Sequence, residues 1–115
     1  MILKHHTDLT LERWCKFSLM QQLSNVACDV ERTIRWRNRS RFDYSKDAFE
    51  RVLELLDLTI ADQKNRGPRL KELTRVREAL VDYFMYDNEY GSSDKLWQDY
   101  FYYFAYAAAF ERSFL

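Results

Sequence analysis

Residues that form tight turns are scarce in this chain, which has two glycines and one proline among 115 residues. Folds built of β-hairpins need many such residues, because their short connections demand unusual or fixed φ angles. An all-β fold is therefore excluded. A long apolar run is also lacking, since the stretch 96–110 is interrupted by Gln98 and Asp99 and is too short to span a bilayer.

Neither sign of charge is in excess. The chain has 18 basic and 18 acidic side chains, which gives a formal net charge of zero. Strong, unspecific nucleic-acid binders usually carry a basic excess, so only a local patch could serve that purpose here. Hydrophobic residues make up 47% of the chain and charged residues 31%, a balance that argues against intrinsic disorder.

Side chains suited to catalysis or metal binding are few. Cys15 and Cys28 belong to no CxxC pair, so we expect free thiols in a reducing compartment and no structural zinc site. The two histidines, His5 and His6, precede the predicted helices, so the Glu-x-x-His pairs of a di-iron bundle are missing, and we expect a flexible tail there. No glycine-rich phosphate loop is present. The sequence thus predicts a non-enzymatic protein with no cofactor and no metal.

Apolar residues recur at helical spacing between the few breakers. This periodicity predicts four helices, over residues 19–38, 46–62, 69–87 and 94–111. Each predicted start carries a local signal. Ser18 and Gln21 have the spacing of a capping box, Ser45 and Ser93 are good N-caps, and Pro68 suits a first helical position because its missing amide would be unpaired there.

The predicted helices have similar lengths and short connections, which places sequence neighbours antiparallel. We therefore expect an all-α fold, an up-down-up-down four-helix bundle over residues 18–115. Residues 1–17 are expected to form an N-terminal tail or a short leading helix. Polar residues such as Lys4 and Asp8 exclude a signal-peptide core from the first eight residues, so we expect a soluble cytoplasmic protein with no membrane contact.

Positive charge is concentrated near the end of the first predicted helix. Five arginines fall within ten residues, with no acidic residue among them: Arg32, Arg35, Arg37, Arg39 and Arg41. One interpretation is a contact surface for phosphate or RNA, because a guanidinium group can donate two hydrogen bonds to one phosphate. Its candidate residues are Arg35, Arg37, Arg39 and Arg41. The other interpretation is structural, since the bundle topology brings to the same end Asp82, Asp87, Glu89 and Asp94.

The last predicted helix carries eight aromatic residues, so rings point in every direction around it. Three neighbouring helices cannot cover Tyr102, Tyr103 and Tyr106, and tyrosine is favoured at protein interfaces. Ala105 and Ala109 leave room for close helix approach. These five residues are the predicted interface of a homodimer. Stacking of single-stranded bases and a monomer with a partly exposed aromatic surface remain as alternatives.

Three segments carry a resemblance to known proteins: residues 29–36 (DVERTIRW), 51–62 (RVLELLDLTIAD) and 69–84 (RLKELTRVREALVDYF). They resemble a group of small prokaryotic helical proteins of uncharacterised activity, which implies the fold alone. In topology the chain is also similar to HEPN-type four-helix domains. That resemblance implies dimerisation, RNA binding or cleavage, or association with a nucleotidyltransferase. HEPN nucleases carry an arginine followed closely by a histidine, and this sequence has no histidine after His6.

Taken together, these patterns predict a helical-bundle protein that acts by self-association or by binding a protein partner. The alternative is a HEPN-like module that binds RNA or accompanies a nucleotidyltransferase. The arginine-rich stretch would be the contact surface in that case.

Overall fold

A computed structural model describes residues 3–113, and these are helical with no β-strand among them. The α-helices are α1 (Leu11–Trp14), α2 (Leu19–Asn38), α3 (Phe42–Ala61), α4 (Pro68–Met85) and α5 (Asp94–Arg112), and a 3₁₀ turn (Gln63–Asn65) precedes α4. The predicted all-α fold is confirmed. Within the described part of the chain, no helix is both long enough and apolar enough to cross a membrane.

Three of the four long helices begin where their local signals predict. The capping box is present, since Ser18 Oγ accepts the Gln21 amide at 3.1 Å and Gln21 Oε1 accepts the Ser18 amide at 2.9 Å. Pro68 is the first residue of α4, and Ser93 Oγ accepts the Leu96 amide at 3.1 Å. These signals succeed because capping depends on residues only three positions apart.

The predicted start of the second long helix is wrong, because α3 begins at Phe42 rather than at residue 46. Ser40 adopts a positive φ of 58°, which reverses the chain directly after α2. Ser45 therefore lies inside α3 and is not its N-cap. Its hydroxyl is buried and donates a hydrogen bond to the Thr33 carbonyl of α2 at 2.9 Å.

The long helices alternate in direction, as predicted. At one end of the bundle Ser18 of α2 donates to Glu111 of α5 at 2.8 Å. Phe49 of α3 meets Phe84 of α4 with ring centroids 5.2 Å apart. Since each contact joins the start of one helix to the end of another, the pairs are antiparallel. The closest backbone approaches are those of α2 to α3 and α5, and α4 packs mainly against α3.

The core is drawn from one face of each long helix. From α2 it takes a stripe at helical spacing, Leu23, Val26, Val30 and Ile34. From α5 it takes large rings, Trp97, Phe101 and Phe104. The remaining buried apolar side chains come from α3, α4 and Trp14 of α1.

A buried polar network joins α2 to the α3–α4 connection. The Gln22 side chain is fully buried, and its Nε2 donates to Asp62 Oδ2 at 2.8 Å and to the Trp14 carbonyl at 3.1 Å. Gln22 Oε1 accepts from Asn65 Nδ2 at 2.9 Å, and Asn65 also donates to the Thr59 carbonyl at 3.0 Å. Each of these groups has a partner, so burial costs the polar atoms little.

The segment before α2 docks onto α3. Trp14 is 3% exposed, and its indole Nε1 donates to Thr59 Oγ1 at 3.0 Å. Of the two forms predicted for the segment before α2, a short helix is seen within residues 3–17, as α1. The segment is thereby anchored against the helix that carries the acidic residues discussed below.

We expect Gln22→Leu to lower the free energy of unfolding by about 2–3 kcal/mol, because it removes one hydrogen-bond partner from each of three buried groups, the Asp62 carboxylate, the Asn65 side-chain amide and the Trp14 carbonyl. Asn25→Ala is the matched control. Asn25 is exposed and donates only to a carbonyl of its own helix, so its loss should change stability by less than about 0.5 kcal/mol. Urea denaturation followed by circular dichroism measures both values. Equal effects would contradict a structural role for the network.

Candidate functional site

One surface of α5 carries large exposed rings. Tyr102 is 71% exposed, Tyr103 61% and Tyr106 63%. Phe110 is also exposed, and Ala109 lies between these rings on the same side of the helix. We call these five residues the aromatic face. Contiguous apolar surface of this kind is uncommon on monomeric proteins and is typical of interaction sites.

The opposite side of α5 supplies the core, and Tyr100 lies between the two. Burial raises the pKa of the Tyr100 hydroxyl well above its ordinary value. Its ring packs edge-on against Phe101 and Phe104, with centroids 5.1 and 5.2 Å away. The rings therefore divide into a buried set that builds the core and a set that is mostly exposed, of which Tyr103 also packs edge-on against Phe104 with centroids 5.2 Å apart. The expectation that one helix surface stays uncovered thus fits the observed exposure.

A groove of about 610 Å³ runs between α2 and α5. Arg32 and Arg35 of α2 line one wall, and Trp97, Tyr102 and Ala105 of α5 line the other. Trp97 is buried, and its indole N–H finds no hydrogen-bond partner among residues 3–113. The groove combines rings with Arg35, whereas Arg32 is paired with Asp29 at 2.7 Å and Glu31 adds a negative charge to the same lining. Rings beside a guanidinium group can bind nucleotides or other planar anions.

The four candidate anion-binding arginines do not form one cluster. Arg35 alone lies in the groove, with no ion pair to any described acidic side chain. Arg37 forms an ion pair with Asp94 of α5. Arg39 and Arg41 lie over aromatic rings of their own neighbourhood, 5.8 Å from the Trp36 centroid and 4.3 Å from the Tyr44 centroid. The fourfold anion site stays a prediction, and two of its residues already pair with carboxylates, Arg37 with Asp94 and Arg41 with Asp43 at 3.9 Å.

Asp94 joins three elements at one end of the bundle. Its carboxylate accepts the Tyr83 hydroxyl at 2.6 Å and Asn38 Nδ2 at 3.2 Å, in addition to the Arg37 guanidinium. Partial burial acts to raise the pKa of Asp94, but the hydrogen bonds from Tyr83, Arg37 and Asn38 outweigh it, and the net pKa is lowered. Of the acids expected at this end, Asp94 is the one that pairs with the arginine-rich stretch.

The histidine pair is docked rather than flexible, so the expectation of a loose tail is wrong for residues 3–17. His5 Nε2 lies 3.0 Å from Glu50 Oε2, and His6 Nδ1 lies 2.6 Å from Glu54 Oε2. Glu50 and Glu54 are one helical turn apart on α3, so both imidazoles meet the same helix face. Sequence reasoning missed this cluster because its halves are more than forty positions apart.

The carboxylates of Glu50 and Glu54, which contact the histidine pair, both have lowered pKa values. Hydrogen bonds from His5 and Lys4 lower the pKa of Glu50. Burial acts to raise the pKa of Glu54, but bonds from the His5 amide, the His6 ring and the Lys4 amide outweigh it, and the net pKa is lowered. Both side chains therefore present negative charge at neutral pH.

Comparison of the chain with protein-family models, with curated proteins and with solved structures gives no match in any of the three.

We expect Asp94→Asn to reduce the acid sensitivity of the fold. The lowered pKa of Asp94 contributes stability above its ordinary value of 3.8, and this contribution disappears as the pH falls through the lowered pKa. The variant should be about 1 kcal/mol less stable at neutral pH and equal to wild type in strong acid. Asp87→Asn, an exposed acid at the same end, should keep the wild-type profile. Denaturant titrations across pH test this, and parallel wild-type and Asp94→Asn curves would contradict it.

Proposed function

We propose that this protein acts as a non-enzymatic homodimer, assembled through the aromatic face of α5. The observation that carries the proposal is the exposure of Tyr102, Tyr103 and Tyr106 on one surface of a helix whose other surface is fully packed. Burying a tyrosine ring is favourable, and its hydroxyl can still bind water or a polar partner at the edge of an interface. Tyrosine therefore suits a dimer interface.

The order of side chains along α5 supports a second copy as the occupant. In an antiparallel pairing centred on Tyr106, residues equally distant from it lie opposite each other. Tyr103 of one copy then meets Ala109 of the other, so a large ring lies over a small side chain. Tyr102 meets Phe110 in the same way, giving a ring pair. Since all these positions are three or four residues from Tyr106, they share its helix face.

Charge favours the antiparallel arrangement over the parallel one. In this pairing exposed Asp99 of one copy would lie opposite position 113 of the second copy, next to its Arg112. In a parallel pair the two Asp99 carboxylates would face each other and repel. The face is thus self-complementary about a twofold axis, as a closed dimer requires.

We also infer a cytoplasmic location for this dimer, because Cys15 and Cys28 are both free thiols. Cys28 is exposed, and an oxidising compartment would leave it open to intermolecular disulfide formation.

We expect the double variant Tyr103→Lys, Tyr106→Lys to be monomeric, because two like charges per copy would have to enter the interface. Wild type should have the mass of a dimer in size-exclusion chromatography with light scattering at tens of micromolar. The matched control is Tyr90→Lys, which changes a tyrosine 67% exposed that lies outside α5, and it should stay dimeric.

Two results would contradict the dimer. One is a wild-type mass equal to that of a single chain at all concentrations tested. The other is a dimer that the double variant does not weaken, which would assign the interface to another surface. A wild-type monomer that captures a different protein through these tyrosines would favour the partner-binding form of the hypothesis.

The groove between α2 and α5 supports a second candidate function, RNA binding of the HEPN-like kind. The supporting observation is that Arg35 and Tyr102 face the same cavity as Trp97, with its unpartnered indole N–H. A base could stack on the rings while the guanidinium contacts phosphate. This function uses one residue of the predicted arginine set rather than all four.

We expect Arg35→Ala to weaken binding of single-stranded RNA and to reduce its salt dependence, because one phosphate contact is lost. Arg66→Ala, which removes an exposed arginine next to Gly67 outside the groove, should bind as wild type does. Fluorescence anisotropy with a labelled oligonucleotide at several salt concentrations measures both. No binding by wild type at low salt would remove this candidate.

A further inference from the structure

Metal-ligating side chains converge where the N-terminal segment crosses the first half of α3. One ligand atom from each of His5, Asp47 and Glu50 lies within 4.8 Å of the other two. We propose that these three side chains bind a divalent transition-metal ion of the zinc type. The proposal concerns a surface distinct from the aromatic face and does not depend on dimerisation.

The distances suit such an ion once the Asp47 side chain moves closer to the other two ligands. A tetrahedral zinc ion bound to nitrogen and oxygen at about 2.0–2.2 Å holds its ligand atoms roughly 3.3 Å apart. His5 Nε2 and Glu50 Oε2 are 3.0 Å apart. Asp47 lies one turn before Glu50 on the same helix face and is exposed, so a change of rotamer brings its carboxylate to the ion. Three protein ligands leave a fourth position for water.

The donor set selects the class of metal. An imidazole nitrogen suits zinc, cobalt, nickel and copper, whereas magnesium and calcium prefer oxygen ligands throughout. The carboxylates of Asp47 and Glu50 together balance the charge of a divalent cation. The His5 side chain is only 15% exposed, so the ring is packed against α3.

Glu54 holds the segment that carries the His5 ring. Its Oε1 accepts a hydrogen bond from the His5 amide at 2.9 Å, and its Oε2 lies 2.6 Å from His6 Nδ1. The Lys4 amide also donates to Glu54. Residues that orient a ligand without touching the ion contribute to metal affinity by preorganising it. Glu54 and His6 are therefore positioning residues.

The Lys4 ammonium group competes for the same place. Its Nζ lies 3.0 Å from Glu50 Oε2, the oxygen that also faces His5 Nε2. The Lys4 side chain is 71% exposed, so it can withdraw into solvent when a divalent ion replaces it. Removing this ammonium group should therefore strengthen metal binding.

Isothermal titration of the full chain with zinc, without a polyhistidine tag, tests the proposal. Wild type should bind one ion, and His5→Ala and Asp47→Asn should each weaken binding about tenfold or more. Lys4→Ala should bind more tightly than wild type. Asp43→Asn is the matched control, because it removes an exposed acid one turn before Asp47, and it should leave zinc affinity unchanged. Cobalt should give the visible absorption of a tetrahedral site in wild type and lose it in His5→Ala.

His5 also pairs with Glu50, so His5→Ala could weaken zinc binding simply by disturbing the fold. Circular dichroism must therefore show that each variant keeps its helix content. Asp47 makes the decisive variant, since it is exposed and its amide analogue preserves size. Absence of zinc binding by wild type would overturn the proposal. So would equal binding by Asp47→Asn, or equal affinity of wild type for magnesium, because either would remove the ligand set named above.

Discussion

The fully buried Gln22 amide is the contact on which much of the remaining structure depends. It binds Asp62 and Asn65 of the α3–α4 connection and the carbonyl of Trp14 in α1, so one side chain holds three chain segments together. In a low-dielectric interior each of these polar groups would be costly without its partner, so the network tolerates one arrangement only. The position of the N-terminal segment follows from it, and with it the position of the two histidines on α3.

The α5 helix carries two different surfaces, one that packs into the core and one that is exposed. Its inner side supplies Trp97, Phe101 and Phe104 to the core, and its outer side presents Tyr102, Tyr103 and Tyr106 to solvent. Burying the inner rings stabilises the fold, whereas the outer rings stay mostly exposed in a single copy, with Tyr103 touching the core only edge-on at Phe104. Exposed apolar area of this kind is the basis of the dimer proposed above, because its burial would be favourable.

Much of the fold could be predicted, because the governing interactions are local. The capping box at Ser18, the proline at the start of α4 and the cap at Ser93 each act within three residues, and the structure confirms all three. The predicted start of α3 is wrong because Ser45 has the chemistry of a cap. Its hydroxyl has another use in the folded chain, where it meets the Thr33 carbonyl of a different helix. No local pattern distinguishes these two uses.

The sequence by itself determined the all-α class, three of the four helix starts, the antiparallel order and the surplus of rings on the last helix. These follow from periodicity and from short-range capping, which need no knowledge of neighbouring helices. The tertiary structure alone decided which arginine meets Asp94, which one remains in the groove beside Tyr102, and how His5 comes to face Glu50. Those contacts join residues far apart in the chain, and their geometry exists only after packing has set the spacing and rotation of the helices.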